Sequence, residues 1–221
     1  MIVIEDAALA LGTDFQGKKI GSHGNTACFS LQARKIITTG EGGIILTSID
    51  DIASKLKSLR NQGAISKKTN QDNFSLPDFK MLGLSYRLSD IQAAVGIIQM
   101  KRIEEFIEKR RKLAQHYNDL FTDSGLDIQT PPILDGVRQN FQTYVIVLNQ
   151  GNRNKLIIEL REKGIETTIG TYSLSTQPLF KTSEKYPVSQ YVFENSLSLP
   201  LYHELTEENV DYIVSSIKSI I

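Results

Sequence analysis

An α/β fold followed by a smaller α+β unit is the architecture this sequence predicts, on three observations. Up to about residue 88, apolar runs that read as strands alternate with a helical pattern, the mark of a layered α/β arrangement. From about Ser89 a helical period continues to Phe121. From about residue 126 a second, shorter set of strands and helices follows. The expected division is therefore 1–88 as the larger part, 89–125 as a long linking helix and 126–221 as a small C-terminal domain.

Composition supports a folded core. The chain has 221 residues, of which 40% are hydrophobic, enough to pack and too many for disorder. Its 25 basic and 25 acidic residues cancel, so neither a nucleic-acid surface nor a basic membrane patch is expected, and no basic recognition helix is visible. The single cysteine, Cys28, excludes a disulfide framework and makes a reducing cytoplasm the default. No apolar stretch reaches the length of a membrane span, and no secretory signal pattern opens the chain.

The elements follow in order. "IVIED" reads as a buried strand with an acid at its end, and such a strand needs neighbours on both sides. "TACFSL" and "GGIILTS" read as two more. "DDIASKLKSLRNQG" is a helix with Ile52, Leu56 and Leu59 on one face and Gly63 just beyond it. Residues 64–80 are polar without a period and are expected as a loop. Ser89 and Gln92 form a capping box at the start of the long helix, whose apolar stripe is Ile91, Ala94, Val95 and Ile98. A helix of that length bridges two subdomains or is kinked between them. "QTYVIVL" is a strand, "NRNKLIIELREKG" a helix stopped by Gly164, and "IETTIGT" a strand. The last helix starts at Thr206, turns Val210, Ile213, Val214 and Ile217 inward, and carries Glu207 and Glu208 at its positive end.

Three side chains stand out chemically. Asp6 ends the first strand, and ligands of open α/β sheets bind beyond the carboxyl ends of strands. Taken alone it reads more readily as a cap for the turn that follows. Ser30 lies five positions before Lys35; alone, it is a serine bonded to backbone, and Lys35 a solvated lysine. Together, with the glycines of "TGEGG" allowing a tight bend nearby, they are the set a pyridoxal phosphate site requires. That cofactor needs an amine for covalent attachment, an acid at the pyridine nitrogen and donors for its phosphate.

The stretch "VIEDAALALGTDFQGKKIGSHGNTACFSLQARKIITTGEGGIILT" closely resembles the DegT/DnrJ/StrS family of pyridoxal phosphate-dependent sugar aminotransferases. "LPDFKMLGLSYRLSDIQAAVGIIQM", "LREKGIETTIGTYSL", "QPLF" and "LSLPLYHELTEENVDYI" agree, in the family's order. The resemblance implies a fold type I transferase, aspartate aminotransferase-like, present here as a partial large domain and the smaller C-terminal domain. It implies Lys35 as the Schiff-base lysine, Asp6 at the pyridine nitrogen and Ser30 at the phosphate. It also implies a homodimer with a shared active site, in which "LSYRLSDIQ" reaches a neighbouring subunit's phosphate. Ser85 stands there where the family usually has Asn, and it still donates a hydrogen bond with shorter reach.

Other positions depart from the pattern. Leu9 replaces a Gln or His, and Gln62 the usual His before Gly63. The family's long segment before "IEDA", which supplies a phosphate-holding turn, a ring-stacking aromatic and part of the sugar-nucleotide pocket, has no counterpart here. The implied activity is transfer of an amino group from a donor such as glutamate to a keto-sugar on a nucleotide carrier. Related dehydratases have His at the lysine position, so Lys35 favours transamination. The alternatives are a non-catalytic remnant, one half of a split protein, or a regulator of the same family.

Overall fold

The computed structural model describes residues 1–65, 76–180 and 182–221, and the chain forms two compact units, 1–103 and 104–221. In the first unit β1 (Ile4–Asp6), β2 (Asp14–Phe15), β3 (Lys18–Lys19), β4 (Thr26–Ser30) and β5 (Gly43–Thr47) precede α1 (Asp50–Leu59). The two short strands β6 (Ala64–Ile65) and β7 (Asp78–Phe79) and the helix α2 (Asp90–Met100) complete it. β1 runs parallel to β4, with Ile4, Glu5 and Asp6 opposite Thr26, Ala27 and Cys28. β5 pairs antiparallel on the far side of β4, from Thr26↔Thr47 to Ser30↔Gly43. The sheet order is β1-β4-β5, so β1 is an edge strand among the described residues, and the expected burial of "IVIED" is corrected: Ile2, Val3 and Ile4 are exposed because β1 pairs on one side only. β2 and β3 form a small antiparallel hairpin between β1 and β4.

The expected loop over 64–80 is corrected at its two ends. Ala64 pairs with Phe79 and Ile65 with Asp78, a ladder too short to show in a hydrophobic period. Residues 66–75 lie outside the described residues. Just before them, Gly63 sits at φ +81. A Cβ there would overlap the Met81 carbonyl oxygen, and the missing side chain lets residues 81–86 lie across the end of α1. Leu84 N–H donates to Leu59 O (2.8 Å) and Tyr86 N–H to Arg60 O (3.0 Å), satisfying carbonyls that the helix end leaves open.

The helical stretch from Ser89 is interrupted. Ser89 caps α2 with the expected box: Gln92 N–H donates to its Oγ (3.3 Å) and Ser89 N–H to Gln92 Oε1 (3.1 Å). At Lys101 and Arg102 the helix tightens, Arg102 N–H reaching back only to Gln99 O (2.9 Å), and α3 (Ile103–Ser124) begins afresh. The apolar stripe of α2 is open to solvent: Ile91 is 81% exposed and Ile98 59%. What holds α2 within its unit is polar. Gln99 accepts from Thr38 N–H (3.1 Å) and donates to Thr38 O (2.7 Å), and Gln92 Nε2 donates to Thr39 O (3.3 Å) and Glu41 O (3.0 Å).

The second unit continues from α3 with β8 (Ile128–Gln129), β9 (Val137–Arg138), β10 (Tyr144–Leu148), α4 (Arg153–Glu162) and β11 (Thr168–Ile169). Two 3₁₀ turns, α5 (Pro187–Asn195), β12 (Ser196–Leu199) and α6 (Glu207–Ile220) follow. The antiparallel sheet β11-β12-β10-β8 packs its alternate residues Tyr144, Ile146 and Leu148 into one core with Tyr117 and Phe121 of α3, Leu156 and Leu160 of α4, and Val210, Ile213, Val214 and Ile217 of α6. The buried face of α6 is the expected one, and Thr206 caps it, accepting from Asn209 N–H (3.2 Å). Several of its buried polar groups are paired, while Thr167 Oγ1 and Ser196 Oγ are buried with no hydrogen-bond partner among the described residues. Tyr144 Oη donates to Asn118 (2.6 Å), Arg153 donates to Ser196 O (3.0 Å), and burial lowers the Arg110 pKa to about 10 while its guanidinium donates to Phe141 O (3.0 Å). Among the described residues no helix is long and apolar enough to cross a membrane, and no cluster of His, Cys, Asp and Glu could hold a metal ion.

The pair of hydrogen bonds between Gln99 and Thr38 gives a direct test of how α2 is held. Gln99→Leu removes both bonds and leaves the Thr38 backbone pair half-buried, so it is expected to destabilise the chain by about 1–2 kcal/mol. A urea midpoint unchanged from the parent would show that α2 is held otherwise.

Candidate functional site

Asp6 and Ser30 come to the same end of the sheet because their strands are parallel. Asp6 lies opposite Cys28, and Ser30 stands two residues beyond it, roughly 6–7 Å along β4. The alternation of a strand sets the sides: Ile4 and Asp6 are exposed and Glu5 is half-buried. One carboxylate oxygen of Asp6 accepts from Ala8 N–H, and Ser30 Oγ accepts from Gln32 N–H, both at 3.3 Å. These are local turn bonds near the long limit, easily exchanged for a ligand.

Lys35 follows in the loop that leaves β4. The loop closes on itself: Leu31 N–H donates to Gly42 O (2.9 Å), while Thr39 N–H and Thr38 Oγ1 both donate to Leu31 O (3.0 Å each). Within it Lys35 N–H donates to Gln32 O (2.9 Å), and Gln32 Oε1 accepts from Arg34 N–H (2.9 Å). Leu31, Ile37 and Thr39 are buried and Lys35 is half-buried. The lysine is thus carried on an ordered turn, anchored at one end by the sheet and at the other by Gln92 and Gln99 of α2.

Ser85 belongs to a different stretch. Its backbone bridges to Asn61, between the two residues that cap α1, and its side chain is exposed. Leu9, at the position where a Gln or His was expected, is 54% exposed. Gln62 adopts φ +62, and its N–H donates to Leu84 O (3.1 Å). A cavity of about 830 Å³ in the first unit is lined by Phe29, Ile44, Leu46, Leu56, Leu82 and Tyr86, and holds none of Asp6, Ser30 and Lys35 on its wall.

Two sets of residues escaped the sequence reading. Gln99, and the hold of Gln92 on the Thr38–Glu41 turn beyond its place in the capping box, are one; the separation of the two glutamines by two helical turns was the available signal, masked by the brighter apolar stripe beside them. Glu5 is the other. Its carboxylate accepts from the backbone N–H groups of Gly21 (2.7 Å), His23 (2.9 Å) and Gly24 (2.5 Å). The Gly24 N–H above all, with those of Gly21 and His23 and the nearby His23 ring, holds its pKa below the usual carboxylate range against the opposing effect of burial. Nothing in "VIEDAA" distinguishes this acid from its neighbour, because the loop it grips lies sixteen to nineteen positions on.

Comparison with known proteins places the chain among its relatives. A sequence profile described as the DegT/DnrJ/EryC1/StrS aminotransferase family matches residues 1–218. A protein of Methanocaldococcus jannaschii of uncharacterised role is 36% identical over 234 residues, covering 100% of this chain and 60% of its own length. A GDP-perosamine synthase of Caulobacter vibrioides is 31% identical over 226 residues, covering 100% of this chain and 59% of its own. Among solved structures, the PMP form of Spr1654 from Streptococcus pneumoniae, provisionally assigned as a sugar aminotransferase, superposes with a TM-score of 0.91 at 25% identity, covering 100% of this chain and 59% of that one. The chain thus spans about three-fifths of the length of the relatives it matches. With the profile running over nearly every residue and the fold shared throughout, this chain belongs to the DegT/DnrJ/EryC1/StrS aminotransferase family.

Proposed function

We propose that this chain provides the cofactor-attaching part of a pyridoxal phosphate-dependent sugar aminotransferase, which moves an amino group from a donor such as glutamate to a keto-sugar on a nucleotide carrier. The observation that carries it is the grouping of Asp6, Ser30 and the Lys35 turn at the carboxyl end of the parallel pair β1 and β4. The donor set fits the group: a carboxylate, a hydroxyl and the amine of half-buried Lys35, the first two held, among the described residues, by long local bonds. When bound, pyridoxal phosphate supplies an electron sink for the substrate's reacting carbon. Asp6 would hold a proton at the ring nitrogen, and Ser30 Oγ would donate to the phosphate. Lys35 Nζ would anchor the cofactor, and as a free amine it would hold and move a proton at the reacting carbon. A perosamine synthase among the relatives supports a nucleotide-linked sugar as acceptor, and the lone Cys28 suits a reducing cytoplasm.

Borohydride reduction in the presence of pyridoxal phosphate tests the assignment. One label per chain is expected, on the peptide carrying Lys35, and Lys35→Ala should abolish it. Equal label on the variant and the parent would refute it.

The reading extends to assembly. A homodimer is supported by the exposed stripe Ile91, Val95 and Ile98 on α2, whose burial at about 25 cal/mol per Å² would stabilise a second copy. Ser85, exposed beside that helix in sequence, would then serve the phosphate of the other subunit. Light scattering at micromolar concentration is expected to show at least a dimer; a monomer would contradict the shared site.

A second reading, one partner of a divided protein or a non-catalytic relative, is favoured by the first unit's apolar surface. All three of Ile44, Ile45 and Leu46 on β5 are more than a third exposed, and β1 has a sheet neighbour on one side only among the described residues. Among the described residues Ser30 and Ser85 are the phosphate donors this reading assigns, and each missing charge-assisted bond costs about 1.5–3 kcal/mol. Two such losses predict cofactor binding roughly a hundredfold or more weaker for this chain alone than with the uncovered part of the Caulobacter vibrioides enzyme added as a separate polypeptide. Submicromolar binding and steady turnover without the addition would exclude this reading.

A further inference from the structure

We propose that Glu5 is a positioning residue that sets Asp6 against the cofactor's ring nitrogen; the proposal rests on the cofactor reading above. β1 is a three-residue edge strand, held by β4 alone among the described residues. A slip of one residue would turn Asp6 to the opposite face. The ladder is too short to prevent that with certainty, and the carboxylate of Glu5 adds what it lacks. Pointing to the side opposite Asp6, it collects the N–H groups of Gly21, His23 and Gly24, all in the loop that leads directly into β4. Gly24 has no side chain to obstruct it; a Cβ there would stand 3.0 Å from Val3 O and 3.2 Å from Glu5 Cγ. Asn25 adds a second tie, its Oδ1 accepting from Val3 N–H (2.8 Å) and its own N–H donating to Val3 O (2.9 Å).

The consequence is mechanical. The loop fixes where β4 starts, and with it Ser30 and the Lys35 turn. The same loop, through Glu5, fixes the peptide on the N-terminal side of Asp6. One carboxylate thereby ties the acid to the hydroxyl and the amine that act with it. Acting on orientation, Glu5 should matter only for a ligand that uses Asp6.

The test compares two probes on the 221-residue chain: pyridoxal phosphate and its 1-deaza analogue, whose ring has CH in place of nitrogen. Apparent affinities come from borohydride-trapped label on Lys35 at rising probe concentration. The parent is expected to prefer pyridoxal phosphate, Asp6→Ala to lose that preference, and Glu5→Gln to reduce it roughly tenfold, the scale of one charge-assisted hydrogen bond, while leaving capture of the deaza analogue within about twofold. In an Asp6→Ala background, Glu5→Gln should change neither. Amide hydrogen exchange at Ala7 and Ala8 should quicken in Glu5→Gln, a readout that needs no cofactor. Equal weakening of both probes would make Glu5 merely structural and overturn the proposal, as would a preference undiminished in Glu5→Gln. A parent with no preference, unchanged by Asp6→Ala, would instead overturn the role of Asp6 and the proposal with it. If Glu5→Gln fails to fold, Glu5→Asp, which keeps the charge but shortens its reach, should show the same loss of preference, and an unchanged preference there would overturn the proposal.

Discussion

The parallel pairing of β1 with β4 is the constraint on which the site depends. Three residues of ladder carry Asp6 to the end of the sheet where Ser30 emerges, and the chain leaving β4 turns at once into the loop bearing Lys35. Parallel strands have their carboxyl ends on one side, so Asp6 and Ser30, far apart in sequence, stand at the same end of the sheet. A short edge ladder is weak by itself. The backbone bonds collected by Glu5 and Asn25 reinforce it from the loop between the strands, and the loop's own closure through Leu31 and Gly42 continues the same scaffold to the lysine.

The two units reach order by different means. The C-terminal unit has a continuous apolar core of helices α3, α4 and α6 on an antiparallel sheet, with its buried tyrosines and arginines hydrogen-bonded. In the N-terminal unit, among the described residues, one buried cluster joins Ala7, Ala27 and Phe29, Leu31 and Ile37 are buried as well, and much apolar surface on β5 and α2 faces solvent. Its order rests more on backbone and amide hydrogen bonds: Glu5 on the Gly21–Gly24 loop, Gln92 and Gln99 on the Thr38–Glu41 turn, and residues 84 and 86 on the end of α1. Such bonds specify geometry well but contribute modest net stability.

Helix α2 shows how pattern and packing can part. Its apolar stripe was plain in the sequence, yet the side that packs within the unit carries Gln92 and Gln99, and the stripe lies in solvent. Periodicity reports which residues share a face, not what meets that face. The capping box at Ser89 was legible because it is local, whereas the break at Lys101 and Arg102 was not, since no Gly or Pro marks it.

What the sequence determined by itself was whatever depends on neighbours along the chain. The strands at "IVIED", "TACFSL" and "TYVIVL" belong to that class, as do the caps at Ser89 and Thr206, the inward face of α6 and the family pattern around Lys35. Tertiary structure alone decided which groups receive the long-range hydrogen bonds. It made Glu5 a clamp on a loop sixteen to nineteen positions away, brought Gln99 to a backbone 61 positions earlier, and paired Ala64–Ile65 with Asp78–Phe79. The physical reason is that propensity, capping and amphipathic period are set within a few residues, while a hydrogen bond to a distant backbone amide exists only once the chain has folded to bring that amide within 3 Å.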